Sequence, residues 1–197
     1  KGSTMTDAEA IRAVYDLTDD NCQDLIYCED AKYIDIGHNE YLDGVPFVAG
    51  MPNLEVIIIS GAPVKDLTPF QNCKKLRILE AAFCEYIYDI TPLAGCESLE
   101  MLNISYTHVT DLSPLDNLNL TRLTAMYYPK SRVPQEEQDR FTAAKPDCTT
   151  FFVGDQPYGK AWRYDANNEY LDWYLKVREV FSYDTYPQTP NHTGWYL

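Results

Sequence analysis

No run of eighteen apolar residues occurs in this 197-residue chain, so no segment reads as a helix that spans a bilayer. Basic residues are scarce. Sixteen Lys and Arg stand against thirty Asp and Glu, a formal charge of -14 at pH 7. A chain this acidic repels phosphate backbones and anionic headgroups, which argues against nucleic acid and anionic membrane surfaces as partners. The three histidines, His38, His108 and His192, have no second His or Cys at ligand spacing, and there is no Cys-x-x-Cys. A zinc site is therefore not expected. G-x-S-x-G, the P-loop and H-E-x-x-H are also missing. "DANNE" at 165–169 lacks the glycine and spacing of a calcium loop and reads as a helix cap. No catalytic residue, metal or cofactor is expected. The start, "KGSTMTDAEA", is too polar for a secretory leader, which fits either a cytosolic chain or a trimmed or excised segment.

What is present is self-similarity, the feature to seek first. Ala31 opens "AKYIDIGHNEYLDGVPFVAGMPN", Leu54 opens "LEVIIISGAPVKDLTPFQNCKK" and Leu76 opens "LRILEAAFCEYIYDITPLAGCES". Leu99 opens "LEMLNISYTHVTDLSPLDNLN" and Leu120 opens "LTRLTAMYYPKSRV", giving successive intervals of 23, 22, 23 and 21 residues. The shared pattern is L-x-x-L-x-L. Its fourth and sixth positions are Ile34 and Ile36, Ile57 and Ile59, Leu79 and Ala81, Leu102 and Ile104, Leu123 and Ala125. Alternation this short predicts a strand. Pro69-Phe70, Pro92-Leu93 and Pro114-Leu115 then turn the chain and open a short helical turn. One such unit cannot bury its apolar edge alone, but a stack of three or more buries a continuous one.

"LEMLNISYTHVTDLSPLDNL" resembles the 22-residue leucine-rich repeat of bacterial internalin-like proteins. The flanks "YIDIGHNE", "VPQEEQDRFTAAKPDC" and "GKAWR" also resemble leucine-rich-repeat proteins of Gram-positive bacterial surfaces. The resemblance implies an α/β leucine-rich-repeat solenoid with a parallel concave sheet. It also implies a secreted or cell-surface bacterial location, the alternative being cytoplasmic. One departure concerns the ninth position, where the usual Asn is present only as Asn39; Ala62, Cys84 and Thr107 replace it in the next units.

Three parts follow. Residues 1–30 are expected to form an N-terminal helical cap, with a capping box at Thr6-Asp7-Ala8-Glu9 and Ile11, Val14, Tyr15 and Leu17 at helical spacing. Residues 31–126 form four clear repeats and a fifth, degenerate one. Residues 127–197 form a C-terminal cap: a helix at 134–145, a strand at 148–153 with Phe151 and Val153 as its fourth and sixth positions, and an aromatic helix. From Asn167 or Asn168 as N-cap, Tyr170, Trp173, Tyr174, Val177 and Phe181 share one face of that helix. With Trp162 they read as a cap over the solenoid end. Cys28, Cys73 and Cys96 share a slot with Met51, three residues before a repeat begins, so they read as buried free thiols.

If the fourth and sixth positions point inward, the third, fifth and seventh point outward on the concave sheet. The candidate binding face is therefore Tyr33, Asp35, Val56, Ile58, Ile78, Glu80, Met101, Asn103 and Arg122, with His38, Phe83, Tyr106 and Tyr127 at the strand ends. Val56, Ile58, Ile78 and Met101 make an apolar stripe, expected to be open unless capping segments or a neighbouring domain cover it. The reading is a monomeric, non-catalytic protein-binding module. The alternatives are a glycan binder that stacks sugars on Tyr106, Tyr127, Trp162 and Trp173, or a spacer of a larger surface enzyme or adhesin.

Overall fold

The computed structural model describes residues 7–184. Seven strands form one parallel sheet in chain order. They are β1 (Ala10–Arg12), β2 (Tyr33–Asp35), β3 (Val56–Ile58), β4 (Ile78–Glu80), β5 (Met101–Asn103), β6 (Arg122–Tyr127) and β7 (Thr149–Val153). The register follows the repeat: Ile34, Ile57, Leu79, Leu102 and Leu123 are successive Cα partners. These residues, with the first and sixth positions of each unit, lie in one continuous core.

The opposite wall of that core is a layer of short 3-10 helices: Pro46–Gly50, Thr68–Phe70, Thr91–Gly95 and Ser113–Leu115. Each has proline in its first turn, where the missing N–H is not needed, and each buries Phe47, Phe70, Leu93 or Leu115. Asp66, Asp89 and Asp111 fix the entry to three of them. Their Oδ1 atoms accept the backbone N–H of Thr68 at 2.8 Å, Thr91 at 2.7 Å and Ser113 at 2.8 Å. The "D-[LI]-[ST]-P" wording is thus a turn device.

The ninth position is also a backbone tie. Asn39 Nδ2 donates to Ala13 O at 2.8 Å and Ile36 O at 2.7 Å, while its Oδ1 accepts the Leu17 N–H at 2.8 Å. The replacements keep part of this. Cys84 Sγ donates to Ile59 O at 3.2 Å and Thr107 Oγ1 to Ile104 O at 2.7 Å. All six cysteines are free and buried. Burial pushes the thiols of Cys84 and Cys96 up to about 12.

The expected N-terminal helical cap is corrected. Ala10–Arg12 is a strand, paired in parallel with Tyr33–Asp35, and a 3-10 helix follows at Gln23–Tyr27. Residues 8–30 are a further repeat in which Ala8, Ile11 and Ala13 take the first, fourth and sixth positions. The spacing of Ile11, Val14 and Leu17 suits a helix, but the ladder offered by β2 satisfies the same backbone while burying Ile11 against the core. Thr6 lies outside the described residues, as does His192.

At the other end, α1 (Gln135–Ala144) starts after Pro134 as expected and replaces a 3-10 turn. β7 follows, one residue out of the expected register. Leu123 pairs with Thr150 and Thr124 with Phe151, so Phe152 packs on the core and Val153 is exposed. A one-residue slip exchanges the two faces of a strand.

The aspartate turns make a pH prediction. Hydrogen bonds from Thr68 and Ser113 hold the Asp66 and Asp111 carboxyls below the usual carboxylate range. Depressed folded-state values stabilise above the unfolded pKa, near 4, and that stabilisation is lost as pH falls through the folded value. Both side chains are exposed, so the Asp66→Asn/Asp111→Asn variant should lose only about 0.5 kcal/mol per site at pH 7. Urea unfolding should show that loss shrinking as pH falls through the folded values and gone once both carboxyls are protonated.

Candidate functional site

The outward face of the sheet is occupied by the chain's own C-terminal segment. After β7 the chain turns back across the sheet. A π-helical turn, Gly159–Arg163, leads by way of 164–171 to α2 (Asp172–Val180). Asn167 and Asn168 do not cap α2; Leu171 holds the N-cap position, while Asp165 Oδ1 ties the preceding turn through the N–H groups of Asn167 and Glu169. Trp162, Tyr174, Val177 and Phe181 pack on Val56, Ile58, Ile78 and Met101 in a second core of eight buried residues. The aromatic helix therefore covers the concave face and not the solenoid end.

Every strand from β2 to β6 contributes to this closure. Asp35 is 5% exposed and accepts the Tyr183 hydroxyl at 2.6 Å. Glu80, on the middle strand, is 0% exposed and accepts Trp162 Nε1 at 2.5 Å, Arg163 Nη2 at 2.8 Å and Ser60 Oγ at 3.3 Å. Asn103 Nδ2 donates to Pro157 O at 3.1 Å, and Thr124 Oγ1 to Ala161 O at 2.8 Å. Arg122 reaches the carbonyls of Lys160 and Ala161. The Arg163 guanidinium lies 4.5 Å from the Tyr158 ring centroid and 4.8 Å from that of Tyr174. Burial works most strongly against its charge, but the Glu80 carboxylate together with the Tyr174 and Tyr158 phenols outweighs that and the net shift is upward. Burial, then the Asp35 carboxylate, also push the Tyr183 phenol up, so it stays protonated and donates.

Magnitudes say what holds the segment down. Burying one Val, Ile or Phe side chain stabilises by roughly 1.5–3 kcal/mol, whereas the attraction within a buried ion pair such as Glu80–Arg163 is largely offset by the desolvation of both charges. The apolar stripe dominates, and the Glu80 pair fixes the register of the cover.

The candidate residues thus separate. Val56, Ile58, Ile78, Glu80, Met101 and Asn103 are buried under the C-terminal segment, and Asp35 with them; Tyr33 and Arg122 are half-buried against it. The expectation of an open apolar stripe is corrected for these positions. The signal was in "LEVIIIS": strands buried on both faces read as continuous apolar runs, not as alternation. Trp162 is 0% exposed and Trp173 half-buried, so neither offers a free ring to a sugar.

His38, Phe83, Tyr106 and Tyr127 form a ridge beside the covered face. Tyr15 stacks on His38 at 5.3 Å, Phe83 on Tyr106 at 4.5 Å, and Tyr106 meets Tyr127 at 5.0 Å. Between the two stacks a Cβ on Gly61 would meet His38 Nδ1 at 3.0 Å. The eighth position of the first five units is left-handed: φ is 70° at Tyr15, 59° at His38, 74° at Gly61, 61° at Phe83 and 58° at Tyr106. Glycine adopts this conformation freely and bulky residues do so at a cost. Further out, Tyr41, Tyr86 and Tyr88 are 75%, 57% and 63% exposed. These three did not enter the sequence reading. The signal for them is the extra residue in the 23-residue units.

The opposite strand edge bears an open groove of about 450 Å³ lined by Glu55, Lys75, Arg77, Glu97 and Glu100. Part of its charge is already paired. Arg77 Nη2 donates to Glu100 at 2.8 Å, and Lys75 Nζ to Asn53 Oδ1 at 2.7 Å. Among the described residues no helix is long and apolar enough to cross a membrane.

No family model matches this sequence, and no curated protein matches it. Solved structures do. An internalin of Listeria monocytogenes, inlF, is 23% identical with a TM-score of 0.61, covering 78% of this chain and 45% of that one. Internalin C2 of the same organism is 21% identical with a TM-score of 0.51, over 68% of each chain. A leucine-rich-repeat protein of Leptospira interrogans is 19% identical with a TM-score of 0.56, over 65% of this chain and 33% of that one. The chain thus spans less than half of the first and third of these proteins. The likeness shows the fold, an internalin-like leucine-rich-repeat solenoid.

The buried pair is open to test. Glu80→Gln removes the carboxylate that Arg163 faces. Breaking a buried pair costs roughly 3–5 kcal/mol, and the lower figure applies because Arg163 keeps 25% of its side-chain surface exposed. Urea unfolding should show a loss of about 3 kcal/mol. Trp162 emission should shift to the red before the repeats unfold, and Glu80→Leu/Arg163→Met should recover most of the stability.

Proposed function

We propose that this chain is a non-catalytic protein-interaction module of a secreted or cell-surface bacterial protein, and that it docks its partner on the strand-end ridge. One observation carries the reading. The sheet's central face is filled from within, while the adjoining left-handed positions hold His38, Phe83 and Tyr106, where Gly61 shows that no side chain is needed. Backbone strain held where the fold does not require it favours a role in binding. Tyr and Phe presented on a rigid scaffold are the residue types that anchor protein interfaces. The internalin-like fold is consistent with such a role, though a fold alone does not fix it.

The glycan reading is weaker on this ridge. Sugar stacking needs free ring faces, and Phe83 and Tyr106 lie 4.5 Å apart at 13°, face to face. The remaining edges suit side chains of a protein partner better.

A variant that leaves the fold intact tests the site. Phe83→Gly relieves an unfavourable φ and gives up one ring stack. These effects oppose each other at roughly 1 kcal/mol each, so stability should change by less than about 1 kcal/mol. Protein binders panned from a displayed library against the unaltered chain should weaken at least tenfold on Phe83→Gly/Tyr106→Gly. Binders that keep full affinity for that variant, and map instead to the 3-10 layer, would sink the proposal.

A further inference from the structure

The two long inner units carry one more residue than the unit between them, and the core makes no use of it. Units 31–53 and 76–98 read Asn39-Glu40-Tyr41-Leu42 and Cys84-Glu85-Tyr86-Ile87 after the strand, where unit 54–75 reads Ala62-Pro63-Val64. Leu42, Val64 and Ile87 are all 0% exposed, so the core is served alike with or without the insertion. What the extra residue adds is outward: Tyr41 and Tyr86, each behind an exposed glutamate. Neither ring stacks on another side chain among the described residues, and the Glu40 and Glu85 carboxylates hold no hydrogen bond or ion pair there. The two tyrosines stand two repeats apart, roughly 10 Å along the stack at about 4.8 Å per strand.

Charge says what fits between them. The turns that leave the first five strands carry Asp16, Asp19, Asp20, Glu40, Asp43, Asp66, Glu85, Asp89 and Asp111, against one lysine, Lys65. The opposite strand edge is balanced, with Glu9 paired to Lys32 and Arg77 to Glu100. The flank that shows the tyrosines is therefore the more acidic of the two strand edges. Lys65, from the intervening short unit, already pairs with Asp43. It shows on a small scale how a cation sits among these groups.

We infer that this flank is a docking site for a basic, extended protein segment whose Arg or Lys side chains lie against Tyr41 and Tyr86 and pair with Glu40 and Glu85. The inference rests on the interaction-module reading but uses the turn flank and not the strand-end ridge. Free aromatic faces attract cations, guanidinium above all, and carboxylates beside them fix the cation in place. An extended polyproline-type segment advances about 3.1 Å per residue with three residues per turn, so basic residues three apart recur on one side every 9–10 Å. That repeat matches the spacing of the tyrosines.

The probe is a synthetic (Arg-Pro-Pro)4 peptide, with a peptide of the same composition whose four arginines are contiguous as its comparison. Titration calorimetry on the whole chain should show the spaced peptide binding at least fivefold more tightly than the contiguous one. Tyr41→Ala/Tyr86→Ala should weaken it about tenfold. Glu40→Gln/Glu85→Gln should also weaken it, whereas Glu136→Gln/Asp147→Asn, which removes two charges elsewhere, should not. The proposal is overturned by unchanged affinity in the tyrosine variant, by equal losses in the two charge variants, or by no preference between the peptides. It is also overturned if chitohexaose, a neutral glycan, binds the flank more tightly than either peptide. Phe83→Gly/Tyr106→Gly should leave peptide affinity intact, so failure here and failure of the ridge are told apart.

Discussion

A parallel sheet of short strands has two faces, and where both are apolar both must be covered. Most strands here are three residues long, and each places one residue inward and two outward. The 3-10 layer closes the inner face. On the outer face, Val56, Ile58, Ile78 and Met101 demand a second cover, and the chain supplies it from its own C-terminal segment. The placement of the remaining groups follows. Glu80 lies at the middle of the covered face because a buried carboxylate needs charged and neutral donors at once, and Trp162 with Arg163 provide both. The polar residues on the neighbouring strands, Asp35, Asn103 and Thr124, each meet one polar group of the crossing segment.

The repeat was legible in the sequence because its signal is periodic and does not depend on any one residue. Where a unit departs from the pattern, legibility falls for identifiable reasons. The first unit has alanine at both its first and sixth positions, Ala8 and Ala13, where every later repeat keeps Leu or Ile in at least one, and its Ile11, Val14 and Leu17 also satisfy a helical spacing. Only the neighbouring strand decides between the two, and a local pattern does not contain the neighbour. The last strand carries Phe151 and Phe152 in succession, so apolarity alone does not say which faces inward. Pairing with β6 turns Phe152 in and leaves Phe151 beside Arg122, 5.5 Å from its guanidinium.

The candidate site was legible in part, and the division is physical. The strand-end residues lie at the margin of the cover: Phe83 meets the Tyr158 ring at 5.9 Å and the Tyr106 hydroxyl reaches Gly154 O at 3.5 Å. The central stripe was misplaced because its fate depends on a contact between residues far apart in the chain: Glu80 to Arg163 spans 83 positions. Composition offered the warning in the unbroken Val56-Ile57-Ile58-Ile59, a run that an exposed strand face would interrupt with polar residues. The resemblance to repeats with a binding face pulled the reading the other way, which shows how fold-level analogy can outrun the residues.

Filling the central face moves any partner to the margins, and the margins differ. One strand edge pairs acids with bases across successive units and so presents little net field. The other gathers aromatic rings at left-handed positions and carboxylates in the turns beyond them. Gly61 is the internal control on that edge. It takes the same backbone conformation as Phe83 and Tyr106 with no side chain, and Ile59 and Ala62 beside it remain as buried as their counterparts. The fold therefore stands without a ring at the eighth position of that unit, and the inner core is served alike with or without one. A repeat protein can stabilise every unit by the same means, and the features that vary between units without changing the core are the ones left free for recognition.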